Sequence, residues 1–265
     1  MDLGTTTLGG ISVSRMIIGG NPFSGFSHQG LDRDAEMVRY FTARHIKDTW
    51  KQAEQLGVTT CIGRCDRHIA RVLREYRDEG GFIQWIAQSC PEYESLDRSL
   101  SNARSGEARA AFVHGGVMDN YLANDRLGET HAAIARIRDA GLAAGIAGHQ
   151  PPVFEWAESN LHVDFYMCSY YNSASRDKSA EHIPGRQEWF KPEDRQKMVD
   201  LIQTLSKPVI HYKVMAAGRN EPEEALAFAA RCMRPQDAVC IGIYPGDKPD
   251  MIAENIGLLE KHLQA

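Results

Sequence analysis

Residues 109–147 read RAAFVHGGVMDNYLANDRLGETHAAIARIRDAGLAAGIA, and this segment contains the unit from which the whole fold is built. The apolar run at 109–113 predicts a buried strand, the amphipathic stretch at 125–140 predicts a helix, and the run at 142–147 predicts the next strand. Gly141 stands between the helix and the second strand, where a helix end favours glycine. Strands that alternate with helices in this way predict a parallel α/β sheet.

The same unit repeats along the chain. Strands are predicted at 15–20, 58–62, 82–87, 109–113, 142–147, 163–168, 208–212 and 238–243. Helices are predicted at 34–56, 67–79, 93–104, 125–140, 153–159, 192–205, 221–233 and 249–263. Eight units in about 250 residues favour a single (β/α)8 TIM barrel over residues 1–265. An open doubly wound sheet is the alternative, but no G-x-G-x-x-G follows the first strand.

Two further segments stand outside this repeat. Residues 3–13 contain two short β-prone runs around Gly9 and Gly10 and predict a β-hairpin that plugs the N-terminal floor of the barrel. The polar stretch at 172–191 is long enough to act as a lid over a site, and its alternative is an ordinary surface insertion.

The composition excludes several classes of protein. The 265 residues include 30 Lys and Arg against 35 Asp and Glu, and the net charge of −5 argues against a nucleic-acid or anionic-membrane surface. No apolar run approaches the roughly 20 residues of a bilayer span, and the N-terminus lacks the features of a secretory signal. Six cysteines in so long a chain favour reduced thiols and a cytoplasmic location.

Polar side chains gather where the predicted strands end, and the active site of a TIM barrel lies in the loops at these ends. Burying such groups without a purpose costs free energy, so the pattern favours an enzyme over a non-catalytic binding barrel. Amide, guanidinium and phenol groups suit a polar or sugar-like small molecule. The substrate-binding candidates are Asn21, Arg64, Gln88, Tyr170 and Asn172.

Histidines and a lysine at the same ends are candidates for acid–base catalysis: His114, His149, His211 and Lys213. His211 and Lys213 are two residues apart and face the same way if both lie on a strand. Facing inward, they form an acid/base pair; past the strand, they face solvent or the following loop. Cys168 with His114, His149 and His211 is a candidate set for a divalent metal, and the alternative is a buried thiol among hydrogen-bonding histidines.

An ordered series of segments resembles the aldo-keto reductase family. The segments are LGTTTLGGISVSRMIIGG (3–20), HIARVLRE (68–75), AAFVHGG (110–116), VDFYMCSYYN (163–172), VIHYKVMAAGR (209–219) and IGIYPGDKPDMIAENI (241–256). The resemblance runs nearly end to end, although no single segment is specific. It implies a barrel with an N-terminal hairpin, a catalytic histidine at His114, and NADP held by Tyr212, Glu254 and Asn255.

The chain departs from the family's pattern at the residues that carry out the reaction. The family's reductases use Asp, Tyr, Lys and His, with Tyr as proton donor, yet residues 59–68 read TTCIGRCDRH and contain no Tyr. Gln88 stands where the family has Lys. Gly148 and His149 replace its Ser-Asn pair, and Cys168 replaces a Gln.

The sequence therefore predicts acid–base chemistry on a small polar carbonyl or sugar-like substrate, of the isomerase, lyase or hydrolase type. Two alternatives stay open: an NADP-dependent oxidoreductase with a relocated proton donor, and a ligand-binding barrel without catalysis. Neither NADP nor a divalent metal is fixed as a cofactor by the sequence.

Overall fold

The fold is taken from a computed structural model, which describes residues 3–93 and 95–264. Met1, Asp2, Glu94 and Ala265, which belong to the single domain predicted over 1–265, lie outside the described residues. The chain begins with an antiparallel hairpin of β1 (Thr5–Leu8) and β2 (Ile11–Ser14). The predicted N-terminal hairpin is confirmed.

Eight parallel strands then close into a barrel in the order β10-β3-β4-β5-β6-β7-β8-β9. They are β3 (Met16–Gly19), β4 (Thr60–Arg64), β5 (Gln84–Gln88), β6 (Ala110–Val113), β7 (Ala143–Gly148), β8 (Phe165–Ser169), β9 (Val209–Tyr212) and β10 (Ala238–Gly242). Each strand of the repeat predicted from sequence is present, so the (β/α)8 barrel is confirmed.

Ten α-helices surround the barrel within the described residues. They are α1 (Leu31–Tyr40), α2 (Ala43–Gln55), α3 (Arg67–Asp78), α4 (Leu96–Ser105), α5 (Gly115–Ala123), α6 (Thr130–Asp139), α7 (Pro151–Asn160), α8 (Pro192–Ile202), α9 (Pro222–Cys232) and α10 (Met251–Leu263). None of these helices combines the length and the apolar character that a membrane-spanning segment needs. All six cysteines are free thiols.

Two helix predictions were wrong. The single helix predicted at 34–56 is two helices, because Phe41 leaves the helical conformation and the side chain of Thr42 caps α2 by accepting from the His45 N–H. The helix predicted at 125–140 starts only at Thr130, and the apolar segment before it forms the additional helix α5.

Side chains alternate across the barrel wall, and this alternation positions the site. Ile62, Ile86 and Ile210 point into the barrel interior, where they pack with Phe112 and Phe165. Residues two positions later on the same strands share that inward direction, while residues one position later face the helices. The strand ends therefore deliver every second side chain to the top of the barrel.

The hairpin closes the barrel floor, as predicted. Leu8, Ile11 and Val13 belong to the same apolar cluster as the inward-facing barrel residues, and Leu8 is completely buried. At the hairpin tip, a Cβ on Gly9 would lie 2.7 Å from the Cβ of Ala143. The plug leaves the opposite, C-terminal end of the barrel as the open one.

Truncation of Leu8 tests the plug. Leu8→Ala leaves a cavity at the floor and is expected to lower the free energy of unfolding by about 3 kcal/mol. Thr7→Ala, an exposed neighbour on the same strand, is the matched control and should change it little. Urea unfolding measures both, and a loss for Leu8→Ala no larger than that of the control would show that the hairpin does not support the core.

Candidate active site

A cavity of about 610 Å³ occupies the C-terminal end of the barrel. Eight of the residues proposed from sequence line it: Asn21, Arg64, Gln88, His114, His149, Tyr212, Lys213 and Asn255. They come from the ends of six different strands and from α10. A site at this end of the strands is what the barrel rule predicts.

His114 enters the cavity as a neutral hydrogen-bond donor. It follows β6 directly, and its Nδ1 accepts a hydrogen bond from the Gly116 N–H at 3.0 Å. Burial, followed by the charges of His149, Arg176, Arg64 and Lys213, lowers the pKa of His114 well below its usual value. Because Nδ1 accepts and the ring is neutral, the proton sits on Nε2.

His149 connects a buried carboxylate to the cavity. Its Nδ1 lies 2.5 Å from Oδ2 of Asp119, and its backbone N–H donates to the other oxygen of that carboxylate at 3.1 Å. Asp119 is fully buried on α5. Burial, together with the charges of Lys213 and Arg176, lowers the pKa of His149 against the opposing effect of Asp119. A neutral His149 therefore donates from Nδ1 to Asp119 and offers Nε2 as an acceptor.

Tyr212 completes this chain of hydrogen bonds. Its hydroxyl lies 3.2 Å from Nε2 of His149 and 3.3 Å from the carbonyl oxygen of Gly148. Burial raises the pKa of Tyr212 well above its usual value, so the phenol keeps its proton. A Cβ on Gly115 would lie 3.0 Å from both the hydroxyl of Tyr212 and Cε1 of His149, so a glycine is needed there for the close approach.

Lys213 is brought into the cavity by a break in the strand. The residue has a left-handed φ of 57° immediately after β9, and this turns its side chain out of the strand's alternation. Its Nζ donates to Oγ of Ser173 at 3.1 Å. Burial lowers the pKa of Lys213 to about 8, against the opposing effect of Glu188.

The titration of Lys213 is directly measurable. Reductive ¹³C-methylation followed by NMR should give a midpoint near pH 8 for the signal that Lys213→Met removes. The folded protein disfavours the ammonium, so the contribution of Lys213 to the free energy of unfolding increases as the pH rises from about 8 to the ordinary lysine pKa of 10.5. A midpoint above pH 10 would mean that Lys213 is not desolvated.

Arg64 and Gln88 point inward because they lie two residues after Ile62 and Ile86. The guanidinium of Arg64 pairs with Glu92 and with Asp66, and its Cζ lies 4.9 Å from the ring centre of Phe26. Its charge is therefore already largely compensated. Gln88 makes no side-chain hydrogen bond among the described residues, which leaves its amide available to a ligand.

Three residues proposed from sequence lie behind the barrel wall: Cys168, Tyr170 and His211. His211 and Cys168 are register partners on β9 and β8, both face the helices, and both are completely buried. Nδ1 of His211 lies 2.9 Å from the hydroxyl of Tyr170, and its Nε2 lies 3.3 Å from Asp237. His211 and Lys213 do not form the acid/base pair that two inward-facing residues on one strand would make, because His211 faces the helices and Lys213 lies past the strand. The four side chains of the predicted metal set are thus divided between two sides of the wall.

Asn172 and Glu254, which were also proposed from sequence, do not line the main cavity. Asn172 lines a separate cavity of about 340 Å³ beside the lid. Glu254 forms an ion pair with Lys248, and its neighbour Asn255 faces the main cavity.

The predicted lid loop, residues 172–191, covers the cavity. Asn120 on α5 donates to the carbonyl oxygen of Arg176 at 2.7 Å, and a Cβ on Gly116 would lie 2.2 Å from the carbonyl oxygen of Ala180. On the other side, Glu188 pairs with Nδ1 of His28 at 2.8 Å. The loop is fastened both to α5 and to the segment after β3.

His28, His182 and Glu188 offer three ligand atoms within 4.8 Å of one another, a set of donors that could hold a metal ion. The surrounding charge opposes a cation. Lys213 affects the pKa of all three residues, and Arg176 affects that of His182. We therefore interpret this group as a latch for the lid.

Two residues of the site, Asp119 and Arg176, were not among the site residues proposed from sequence. Asp119 follows His114 by five positions, on a helix that was not predicted. A buried acid on the apolar stretch VMDNYL was the available signal. Arg176 was one of several charged residues in the lid, and nothing in the sequence distinguishes it from the others.

The barrel resembles solved aldo-keto reductases. PA4992 of Pseudomonas aeruginosa, assigned as an aldo-keto reductase, has a TM-score of 0.65 and 16% identity, with 98% of this chain and 95% of that chain covered. Aldo-keto reductase AKR11C1 from Bacillus halodurans has a TM-score of 0.62 and 13% identity, with 99% and 95% covered. No family model and no curated protein matches the sequence. At such identities the likeness shows the fold, and at that level the predicted resemblance is confirmed.

Proposed function

We propose that the protein is an enzyme that transfers protons on a small polar carbonyl or sugar-like substrate, as an isomerase, lyase or hydrolase does, and not a standard reductase. The observation that carries the proposal is the chain of hydrogen bonds from Asp119 through His149 to Tyr212, which ends in the cavity. A buried carboxylate, an imidazole and a phenol in this order can move a proton in either direction.

We call the chain of hydrogen bonds from Asp119 through His149 to Tyr212 the proton relay, and each of its members has a role. A substrate proton passes to the phenolic oxygen of Tyr212 as Tyr212 gives its own proton to Nε2 of His149. The resulting imidazolium lies 2.5 Å from the Asp119 carboxylate, which stabilises it. Returning the proton to a neighbouring substrate atom completes an isomerisation or elimination, and His149 is restored to its neutral form.

His114 supplies the complementary function. Its Nε2–H has no partner among the described residues, and the neutral imidazole can donate to a substrate carbonyl or hydroxyl oxygen. Such a donor stabilises the negative charge that develops on the oxygen during proton abstraction. Asn21, Gln88 and Arg64 line the same cavity and would orient the remaining polar groups. His211 has no access to the cavity and receives no catalytic role.

Deuterium exchange tests the proton abstraction that an isomerisation or an elimination requires, whatever the product of that reaction is. The protein is incubated in D₂O with a panel of aldoses, ketoses and hydroxy-carbonyl acids, and deuterium beside the carbonyl is followed by NMR. We expect exchange without added nucleotide, and His149→Gln should slow it by at least about 100-fold. His162→Gln, at an exposed position, is the matched control. No exchange with any member of the panel would contradict the proposal.

An NADP-dependent oxidoreductase is the second candidate, and one observation favours it. The cavity runs from His114 past Tyr212 and the segment 214–222 to Asn255, a course that could accommodate an extended ligand. Tyr212 and Asn255 would then contact the nucleotide, which supplies a hydride when bound. Two contacts count against this candidate. The hydroxyl of Tyr212 lies within hydrogen-bond distance of His149, and Glu254 forms an ion pair with Lys248.

Nucleotide binding separates the two candidates. Under the leading proposal, NADPH added at about 100 µM, a level at which a genuine cofactor would saturate its site, should neither quench protein fluorescence nor raise the melting temperature. A rise of several degrees that is lost in Asn255→Ala, together with NADPH oxidation by carbonyl compounds, would replace the leading proposal with the oxidoreductase.

A further inference from the structure

We propose that the part of the cavity beneath the lid is a subsite for an anionic group of the substrate, a carboxylate or a phosphate, held by Arg176 and Lys213. This inference deepens the proposed function by naming the class of substrate. It rests on that function for the reaction, but its binding test requires no turnover.

Arg176 is a buried cation with few partners. The residue is 6% exposed and lines the main cavity. Its Nη1 donates to the carbonyl oxygen of Glu181 at 3.0 Å, while its Nε is buried and has no hydrogen-bond partner in the described part of the chain. A guanidinium has five N–H donors, and leaving a buried one unpaired costs free energy. An anionic ligand in the cavity would give the guanidinium the direct partner that no carboxylate among the described residues provides.

Lys213 is the second cation, and it too lacks a paired carboxylate. Its ammonium donates to Ser173, and within residues 3–93 and 95–264 neither Lys213 nor Arg176 takes part in an ion pair. Two buried positive charges that no carboxylate pairs directly are unfavourable, and a ligand that supplies a negative charge would offset that cost.

The nearby carboxylates are already engaged by other groups. Asp119 accepts both hydrogen bonds from His149, through its ring and its backbone N–H. Glu188 accepts from Nδ1 of His28 at 2.8 Å and from the hydroxyl of Ser173 at 3.3 Å. Their charges raise the pKa of Arg176 and of Lys213, but neither carboxylate forms an ion pair with either cation among the described residues.

The subsite lies beside the proton relay. Arg176, Lys213, His114 and His149 all line the main cavity, and the two positive charges lower the pKa of both imidazoles. An anionic group bound there would hold an adjacent carbonyl or hydroxyl near Tyr212 and His114. The planar fork of an arginine and the point charge of a lysine together suit a carboxylate or a phosphate. Lys213 then acts as a substrate-binding cation and not as a base.

Three matched polyols test the subsite by isothermal calorimetry on the full chain: glycerol, glycerate and glycerol 3-phosphate. We expect at least one anion to bind at least about 10-fold more tightly than glycerol, as charge-assisted hydrogen bonds predict. The preferred anion identifies the group, carboxylate or phosphate. If neither anion binds more tightly than glycerol, the proposal is wrong.

Variants locate the binding. Arg176→Gln and Lys213→Met should each weaken the anion at least about 10-fold while leaving glycerol unchanged. Lys178→Gln, an exposed cation of the same loop, is the matched control and should bind as the wild type does. Circular dichroism checks that each variant is folded, and Lys213→Met keeps the test valid if Arg176→Gln disturbs the lid. Anion binding that is unchanged in both variants would overturn the assignment. Tight anion binding without deuterium exchange would instead support the subsite and contradict the proposed reaction.

Discussion

Side chains alternate across the closed barrel wall, and the other features of the molecule follow from this alternation. One set of side chains packs the interior beneath the cavity, and the other packs against the helices. The hairpin closes the N-terminal end of the barrel. Inward-facing side chains can therefore contact a ligand only at the C-terminal end. Tyr212 therefore lies in the cavity, while its neighbour His211 is buried behind the wall. Lys213 reaches the cavity because its left-handed φ turns the side chain out of this alternation.

The fold could be predicted almost completely, because buried parallel strands are short apolar runs that the sequence displays directly. The cavity residues Arg64, Gln88, His114 and His149 could also be predicted, since the ends of the strands locate them. The side of the wall that each residue occupies could not be predicted. In a short apolar strand, the sequence does not show which alternate residues face the interior and which face the helices. Cys168 and His211 were misplaced for that reason.

The electrostatics of the site depend on partners that are distant in sequence. Asp119 and His149 are thirty positions apart, and their 2.5 Å contact fixes which nitrogen of the imidazole faces Tyr212. Burial keeps the imidazoles of His114 and His149 neutral, and their Nδ1 hydrogen bonds make Nε2 a donor in His114 and an acceptor in His149. The lid adds a cation, Arg176, whose charge no carboxylate among the described residues pairs directly. These features are the basis of the proposed proton transfer on an anionic, oxygen-rich molecule by a barrel with an aldo-keto reductase-like fold.

The tautomers of His114 and His149 decide whether the proton relay exists. Nitrogen-15 NMR of histidine-labelled protein at pH 7, with signals assigned through His114→Gln and His149→Gln, reports which ring nitrogen carries the proton. The relay predicts two neutral rings of opposite tautomer, with the proton on Nε2 of His114 and on Nδ1 of His149. An imidazolium at either position, or a proton on Nε2 of His149, would contradict the relay from Asp119 to Tyr212.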